Sequence, residues 1–196
     1  MKIGILTITP NIGYGGIMQA YALQNILQEQ GHEATLLNIR TRYSLLKTVL
    51  IFIKRFFKKY LCGKDIALTL EKEYVFMSQN TGLFLQKHIR RTPDIYTTKE
   101  LSEIANQGFD AFVVGSDQVW RPKYVPNIYN YYLDFLNEDK DVKRVAYAAS
   151  FGTDEWEYSE EEANRCLMLI RKFDAVSGRE KSAVDLCENY FNVTPA

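Results

Sequence analysis

Apolar positions run along the chain in two alternating rhythms, and the alternation predicts the fold. Residues 2–9 form a continuous β-branched run (Ile3, Ile5, Leu6, Ile8), the pattern of a strand covered on both faces. After a glycine-rich turn, Asn11-Ile12-Gly13-Tyr14-Gly15-Gly16, the period changes. Ile17, Ala20, Tyr21, Leu23, Ile26 and Leu27 recur at helical spacing until Gly31 stops the helix. Residues 33–39 return to a strand. Strand, loop, helix and strand within forty residues make a βαβ unit.

The same rhythm comes back later. Thr97 and Glu100 have capping-box spacing for a short helix carrying Leu101, Ile104 and Ala105, ended by Gly108. The run 111–114 is then too continuous for a half-exposed strand and too short for a buried helix. Residues 144–149 read as another interior strand, Ser159 and Glu162 cap the following helix, and Phe173-Asp174-Ala175-Val176 repeats the approach Phe109-Asp110-Ala111-Phe112. That echo indicates repeated architecture rather than a duplicated domain. The expected fold is α/β: a Rossmann-like, doubly wound, mostly parallel sheet with helices on both faces, forming one domain over residues 1–196 with a helical excursion at about 43–90.

Within the excursion, residues 43–61 are aromatic, apolar and basic. Leu46, Val49, Leu50, Ile53, Phe57 and Tyr60 fall on one helical stripe, with Lys47, Lys54, Lys58 and Lys59 elsewhere. The uninterrupted apolar run is about half of what a bilayer requires. A core-covering helix with snorkelling lysines is the commoner explanation for such a pattern. A basic amphipathic helix lying on a membrane surface or a partner is the other. Residues 71–88 read as helix then loop.

Composition narrows the function classes. Hydrophobic residues make up 46% and aromatics 13% of 196 residues, and this content belongs to a folded domain. A net charge of zero supplies no long-range attraction for nucleic acid, so no nucleic-acid partner is expected. Cys62, Cys166 and Cys187 stand far apart, without paired metal or redox spacing, and an odd, sparse count suits a reducing compartment. The N-terminus leads straight into a strand with no signal-peptide pattern, so a cytoplasmic location is expected, with peripheral contact at the inner membrane face if residues 43–61 bind lipid.

Three strand exits carry candidate chemistry. Beyond the strand at 111–114 the chain breaks at Gly115 into Ser116, Asp117 and Gln118, and then Trp120. In open α/β sheets ligands bind outside the carboxyl ends of the strands, and these residues offer a hydroxyl, a carboxylate and an amide there; an ordinary turn fits the same residues. Asn11, Gly13, Tyr14, Gly15 and Gly16 open the first helix, whose N-terminal amides suit a phosphate or carboxylate, although the spacing lacks the third glycine of the dinucleotide fingerprint. Gln19 is polar among apolar neighbours in the early helix. Ser150, Phe151 and Gly152 leave the strand at 144–149 in a similar design. Arg179, in Ser177-Gly178-Arg179-Glu180-Lys181-Ser182, is either an anion clamp or a partner for Glu180 or Asp174. Tyr124, Tyr129, Tyr131 and Tyr132 read as a sugar platform or as loop–core packing. Arg90 and Arg91 read as an anion contact or as solvated surface. His32 and His88 are the only histidines, neither well placed for catalysis. No metal site is indicated. Gly115-Ser116-Asp117 is not a nucleophile elbow, which disfavours a serine hydrolase.

Four blocks resemble the polysaccharide pyruvyl transferase family, in that family's order. These are Gly13-Tyr14-Gly15-Gly16-Ile17-Met18-Gln19-Ala20-Tyr21-Ala22-Leu23, Gly115-Ser116-Asp117-Gln118-Val119-Trp120, Tyr147-Ala148-Ala149-Ser150-Phe151-Gly152 and Ser177-x-Arg179-Glu180-x-Ser182. Gly13 stands where the family usually has Asn, so any side-chain contact from that position is lost. The resemblance implies the N-terminal half of a GT-B-like two-domain arrangement, with the second, C-terminal domain absent from residues 1–196 and the half inactive alone. It implies transfer of pyruvate from phosphoenolpyruvate, as donor substrate without a cofactor, to saccharide hydroxyls as a ketal, in bacterial surface or exopolysaccharide biosynthesis. The acceptor would be a saccharide, free or lipid-linked. Asp117 is the one candidate here for proton transfer. Two other functions fit the same fold: a non-catalytic sugar- or nucleotide-binding domain, or half of a GT-B-like glycosyltransferase.

Overall fold

The computed structural model describes residues 1–9, 13–41, 44–63, 66–69, 78–136 and 141–196. Among these, β1 (Lys2–Leu6), β2 (Glu33–Leu36), β3 (Ala111–Asp117), β4 (Lys143–Ala149) and β5 (Ala175–Gly178) form one parallel sheet in the order β2-β1-β3-β4-β5. The winding direction reverses between β1 and β3. At that switch point the connections leave in opposite directions and open a crevice at the carboxyl ends of the strands.

Side-chain alternation fills both faces. Ile3, Ile5, Ala111 and Val113 meet Ile17, Ala20 and Leu23 of α1 (Tyr14–Glu29) and Leu85 of α3 (Gln79–His88). Leu6, Phe112 and Val114 point the other way, towards α4 (Thr98–Ala105), α5 (Glu160–Ile170) and α6 (Lys181–Leu186). Both capping boxes form as their spacing predicts, at Thr97/Glu100 and Ser159/Glu162. β2 ends three residues earlier than the apolar run suggests. Beyond it the edge is covered by residues 90–95, through bridges Leu36–Arg91 and Ile39–Ile95. Buried Gln24 of α1 fastens this edge: Nε2 donates to the Arg90 carbonyl at 2.7 Å and Oε1 accepts from the Arg90 amide at 2.9 Å.

The tyrosine-rich stretch divides: Tyr124 is exposed and Tyr129 half-buried, whereas the second pair is core. Tyr131 and Tyr132 are fully buried, and Trp120 stacks on Tyr132 at 5.2 Å and 12°. The Trp120 indole N–H donates to the Tyr131 carbonyl, and the Tyr158 hydroxyl to the Trp120 carbonyl. Burial pushes the Tyr131, Tyr132 and Tyr158 phenols well above their ordinary range.

One expectation is overturned. The helix in residues 43–61 forms, as α2 (Leu45–Tyr60) with Ser44 as N-cap, but it covers no core and none of its residues is buried. Leu46 is 78% and Leu50 63% exposed. Spacing defines which residues share a face, not which way that face turns. Within 71–88, read as helix then loop, the later part is helix, α3; residues 70–77 lie outside the described residues.

Candidate functional site

The ends of β1, β3, β4 and β5 meet on one rim with the first turn of α1. Thr7, fully buried just beyond β1, donates its hydroxyl proton to the Ser116 carbonyl at 2.8 Å and lies 3.2 Å from Gln19 Oε1. A hydroxyl has one proton. With that proton on Ser116, the Gln19 contact is satisfied only when the amide turns so that Nε2 donates to Thr7. As placed, buried Gln19 Nε2 has no partner among the described residues; turned, Oε1 takes its place. Either way one amide atom beside the switch point is left over. Gln24, five residues on, has both amide ends bonded.

Asp117 closes β3 with φ at +126°, a left-handed-side backbone rarely adopted by a residue with a side chain. Its Oδ1 accepts from the Gln118 amide at 2.8 Å and lies 3.6 Å from Arg179 Nη1. Its Oδ2 faces α1, 4.0 Å from where a side chain on Gly16 would begin. That helix starts on Gly13 with no side-chain cap and no acidic residue in its first turn. Its opening amides and dipole therefore face the rim uncompensated by a cap of their own. Gly13 at the N-cap has no side chain to offer, which is the local reason.

Arg179 completes the other side. Its Nε pairs with Glu180 Oε2 at 3.0 Å, and Nη2 donates to Ser150 Oγ at 3.3 Å. Ser150 donates to Glu180 Oε1 at 2.6 Å and accepts from the Gly152 amide at 2.9 Å. Backbone bonds from Ser150 N to the Asp117 carbonyl and from Arg179 N to the Ala149 carbonyl lace three strand ends together. Asp174, weighed as a partner for Arg179, instead lies at the far rim against Lys143 and the Arg144 amide.

Two glycines permit the close approach. Gly115 has φ +114° and a Cβ there would overlap the Tyr147 carbonyl; Gly152 has φ +65° and a Cβ there would overlap the Gln118 side chain. Buried Gln118 Oε1 is a second amide atom without a partner among the described residues. The loop beyond Gly152 is clamped by Arg121, whose Nε and Nη2 bond both Glu157 oxygens, with Lys123 adding a third contact. These donors hold the Glu157 carboxyl far below its usual range, at about 2.

The rim thus gathers Gly16, Gln19, Gly115, Ser116, Asp117, Gln118, Ser150, Gly152 and Arg179. Trp120 and Phe151 are both buried and packed in the aromatic core beneath the rim. Ser150 is buried and holds Arg179 and Glu180 in place. Gly13, Tyr14 and Gly15 are exposed at the start of α1. Asn11 lies outside the described residues. Thr7 belongs to no motif, and its one signal in the sequence is a hydroxyl closing an apolar strand run. His32 precedes β2 at the far rim, and His88 packs on Phe84 and Tyr21. Among the described residues no cluster of three His, Cys, Asp or Glu forms. A hollow of about 390 Å³ beside Arg90 and Arg91 opens near Lys2 and Phe109, at the amino ends of the strands, and is separate from this rim.

A carboxylate, a guanidinium, two incompletely bonded amides and an uncapped helix start converge at the switch point of a doubly wound sheet. This defines an α/β domain of the Rossmann-like class, with its polar groups gathered at the rim where open sheets of this kind bind ligands. The model of the polysaccharide pyruvyl transferase family matches residues 14–195, and the chain belongs to that family. Among curated proteins no match is found.

Proposed function

We propose that this chain carries the acceptor-side wall of a transferase that moves pyruvate from phosphoenolpyruvate to two saccharide hydroxyls as a ketal. The supporting observation is the pairing of Asp117 with Arg179 at the switch point, beside an α1 terminus without a side-chain cap. Family membership makes the reaction class a transferase; the donor, acceptor and residue roles are the proposal.

Protonation of the methylene carbon of phosphoenolpyruvate makes the adjacent carbon oxocarbenium-like. One sugar hydroxyl adds there and loses its proton; phosphate leaves; the second hydroxyl closes the ketal and loses its proton. The reaction needs an acid, a base and cationic contacts to phosphate and carboxylate. In this reading Asp117 accepts a hydroxyl proton and Gln19 orients the acceptor, while Arg179 and the α1 amides bind an anionic group. A second domain facing this rim, as the family resemblance implies, supplies the remaining groups.

The test is carried out on the protein encoded by the whole reading frame. Phosphate release from phosphoenolpyruvate should depend on added saccharide acceptor and should fall by roughly 10²-fold or more with Asp117→Asn. Turnover of a nucleotide sugar with phosphoenolpyruvate ignored would replace the proposal with a glycosyltransferase; sugar binding with neither turnover would replace it with a binding domain.

A further inference from the structure

Helix α2 sits the opposite way from an ordinary surface helix. At about 100° per residue, its apolar side chains sweep roughly half of the circumference. Val49, Leu50, Ile53, Phe56, Phe57 and Tyr60 on that half are all exposed. The half-buried positions are Ile51, Arg55 and Lys59, one stripe at i, i+4 and i+8 on the polar side. The Arg55 Nε–H donates to the Ala67 carbonyl at 2.9 Å, which ties the polar side to the segment that follows the helix. Large aromatics and aliphatics facing outward along sixteen residues exceed what scattered surface hydrophobics explain.

Charge selects the occupant. Residues 45–61 contain Lys47, Lys54, Arg55, Lys58 and Lys59 and no acidic residue, so the segment carries +5 within a chain of net charge zero and leaves −5 on the rest. On the wheel, Lys47, Lys54 and Lys58 border one edge of the apolar half and Lys59 the other. A second copy docking through this face would bring cationic edges against cationic edges, with no acid in the segment to answer them. Phosphate headgroups above acyl chains match both features. Four aromatics on the exposed face suit the depth at which rings meet headgroups.

We propose that α2 is an interfacial helix that docks the protein on an anionic lipid bilayer, its apolar half in the headgroup–acyl boundary and its lysines among the phosphates. At about 24 Å it lies in the plane of the surface. Among the described residues no helix is long and apolar enough to cross a membrane. This inference rests on the helix alone and is independent of the chemistry at the rim.

The test is co-sedimentation of the full chain with vesicles. On roughly three parts phosphatidylcholine to one part phosphatidylglycerol the protein should bind, and binding should weaken about tenfold or more in about 0.5 M NaCl or on pure phosphatidylcholine. Phe56→Glu with Phe57→Glu should abolish binding, and Lys54→Glu with Lys58→Glu should weaken it; both pairs are exposed, so circular dichroism and melting should stay unchanged. No binding to either vesicle, equal binding to neutral lipid, or binding indifferent to the Phe pair would overturn the proposal. So would a concentration-dependent dimer that the Phe pair breaks while vesicles go unbound.

Discussion

The two rims of the sheet are built from the same strands and end in opposite ways. At the amino rim an aspartate precedes β3 and another precedes β5, and each does the same work. Asp110 accepts from the Lys2 amide at 2.6 Å, and Asp174 from the Arg144 amide at 2.8 Å, each bonding the first residues of the neighbouring strand. The backbone runs on in register, with Asp110 N to the Lys2 carbonyl and Asp174 N to the Arg144 carbonyl. This explains the Phe-Asp-Ala echo in the sequence as a repeated staple. At the carboxyl rim the regularity stops. Gly115, Asp117, Ala148 and Gly152 all have positive φ, the β4–β5 register shifts between Ala146 and Ala149, and the amides of Gln19 and Gln118 each keep an unbonded atom among the described residues. The lesson is that one rim is closed by its own hydrogen bonds, and the other is held in an irregular shape with polar atoms left for something else.

The strongest challenge to this contrast is Gly115→Ala. A methyl group there meets the Tyr147 carbonyl, which belongs to backbone and cannot swing aside, at a φ that side chains resist. A loss of about 4 kcal/mol in urea unfolding is expected; a loss below about 1 kcal/mol would show that the carboxyl rim is pliable rather than held. Next comes Asp117→Asn in the protein encoded by the whole reading frame, where the proposed transfer predicts a kcat/KM lower by roughly 10²-fold or more with stability changed by less than about 1 kcal/mol. Equal losses of stability and activity would make Asp117 a structural cap.

Two glutamines of α1 sharpen the contrast at intermediate size. Gln24→Leu leaves the Arg90 amide and carbonyl without their side-chain partner and should cost about 2 kcal/mol. Gln19→Leu removes a buried amide that is only half bonded, so stability should stay within about 0.5 kcal/mol of the parent while acceptor KM rises. If Gln19→Leu destabilises as much as Gln24→Leu, the Gln19 amide has a structural partner. The smallest effect belongs to the staple. The Arg144 amide, then Lys143, holds the Asp174 carboxyl below its ordinary 3.8. A lowered folded value means stability present above pH 3.8 and lost as pH falls through the folded value. Asp174→Asn should cost about 1 kcal/mol at neutral pH and flatten the acid limb of the stability curve; Glu157, held at about 2, should produce a similar acid limb of its own.

Much of the architecture could be read in advance from local pattern. Runs such as Ala111–Val114 are apolar on both faces, and that suffices to place a strand inside a two-sided sheet. Thr97 with Glu100 and Ser159 with Glu162 announce helix starts, because a cap is satisfied within four residues. The site was legible only in part. Asp117, Arg179 and Gln19 stood out as polar groups at strand exits or in an apolar helix face. Trp120 and Phe151 stood out equally and proved to be core, because the distance from a cleft to the packing beneath it is a single side chain. Thr7 looked like the end of a strand and became the link between Gln19 and Ser116.

Residue order alone determined the α/β alternation, the caps and the amphipathic character of α2, since each depends on neighbours within a few positions. Tertiary structure decided the rest. It brought Thr7, Gln19, Asp117, Ser150 and Arg179 to one rim from five separate segments, and it turned the apolar half of α2 outward. The reason is physical: periodicity fixes which side chains share a face, whereas long-range packing alone settles what that face meets.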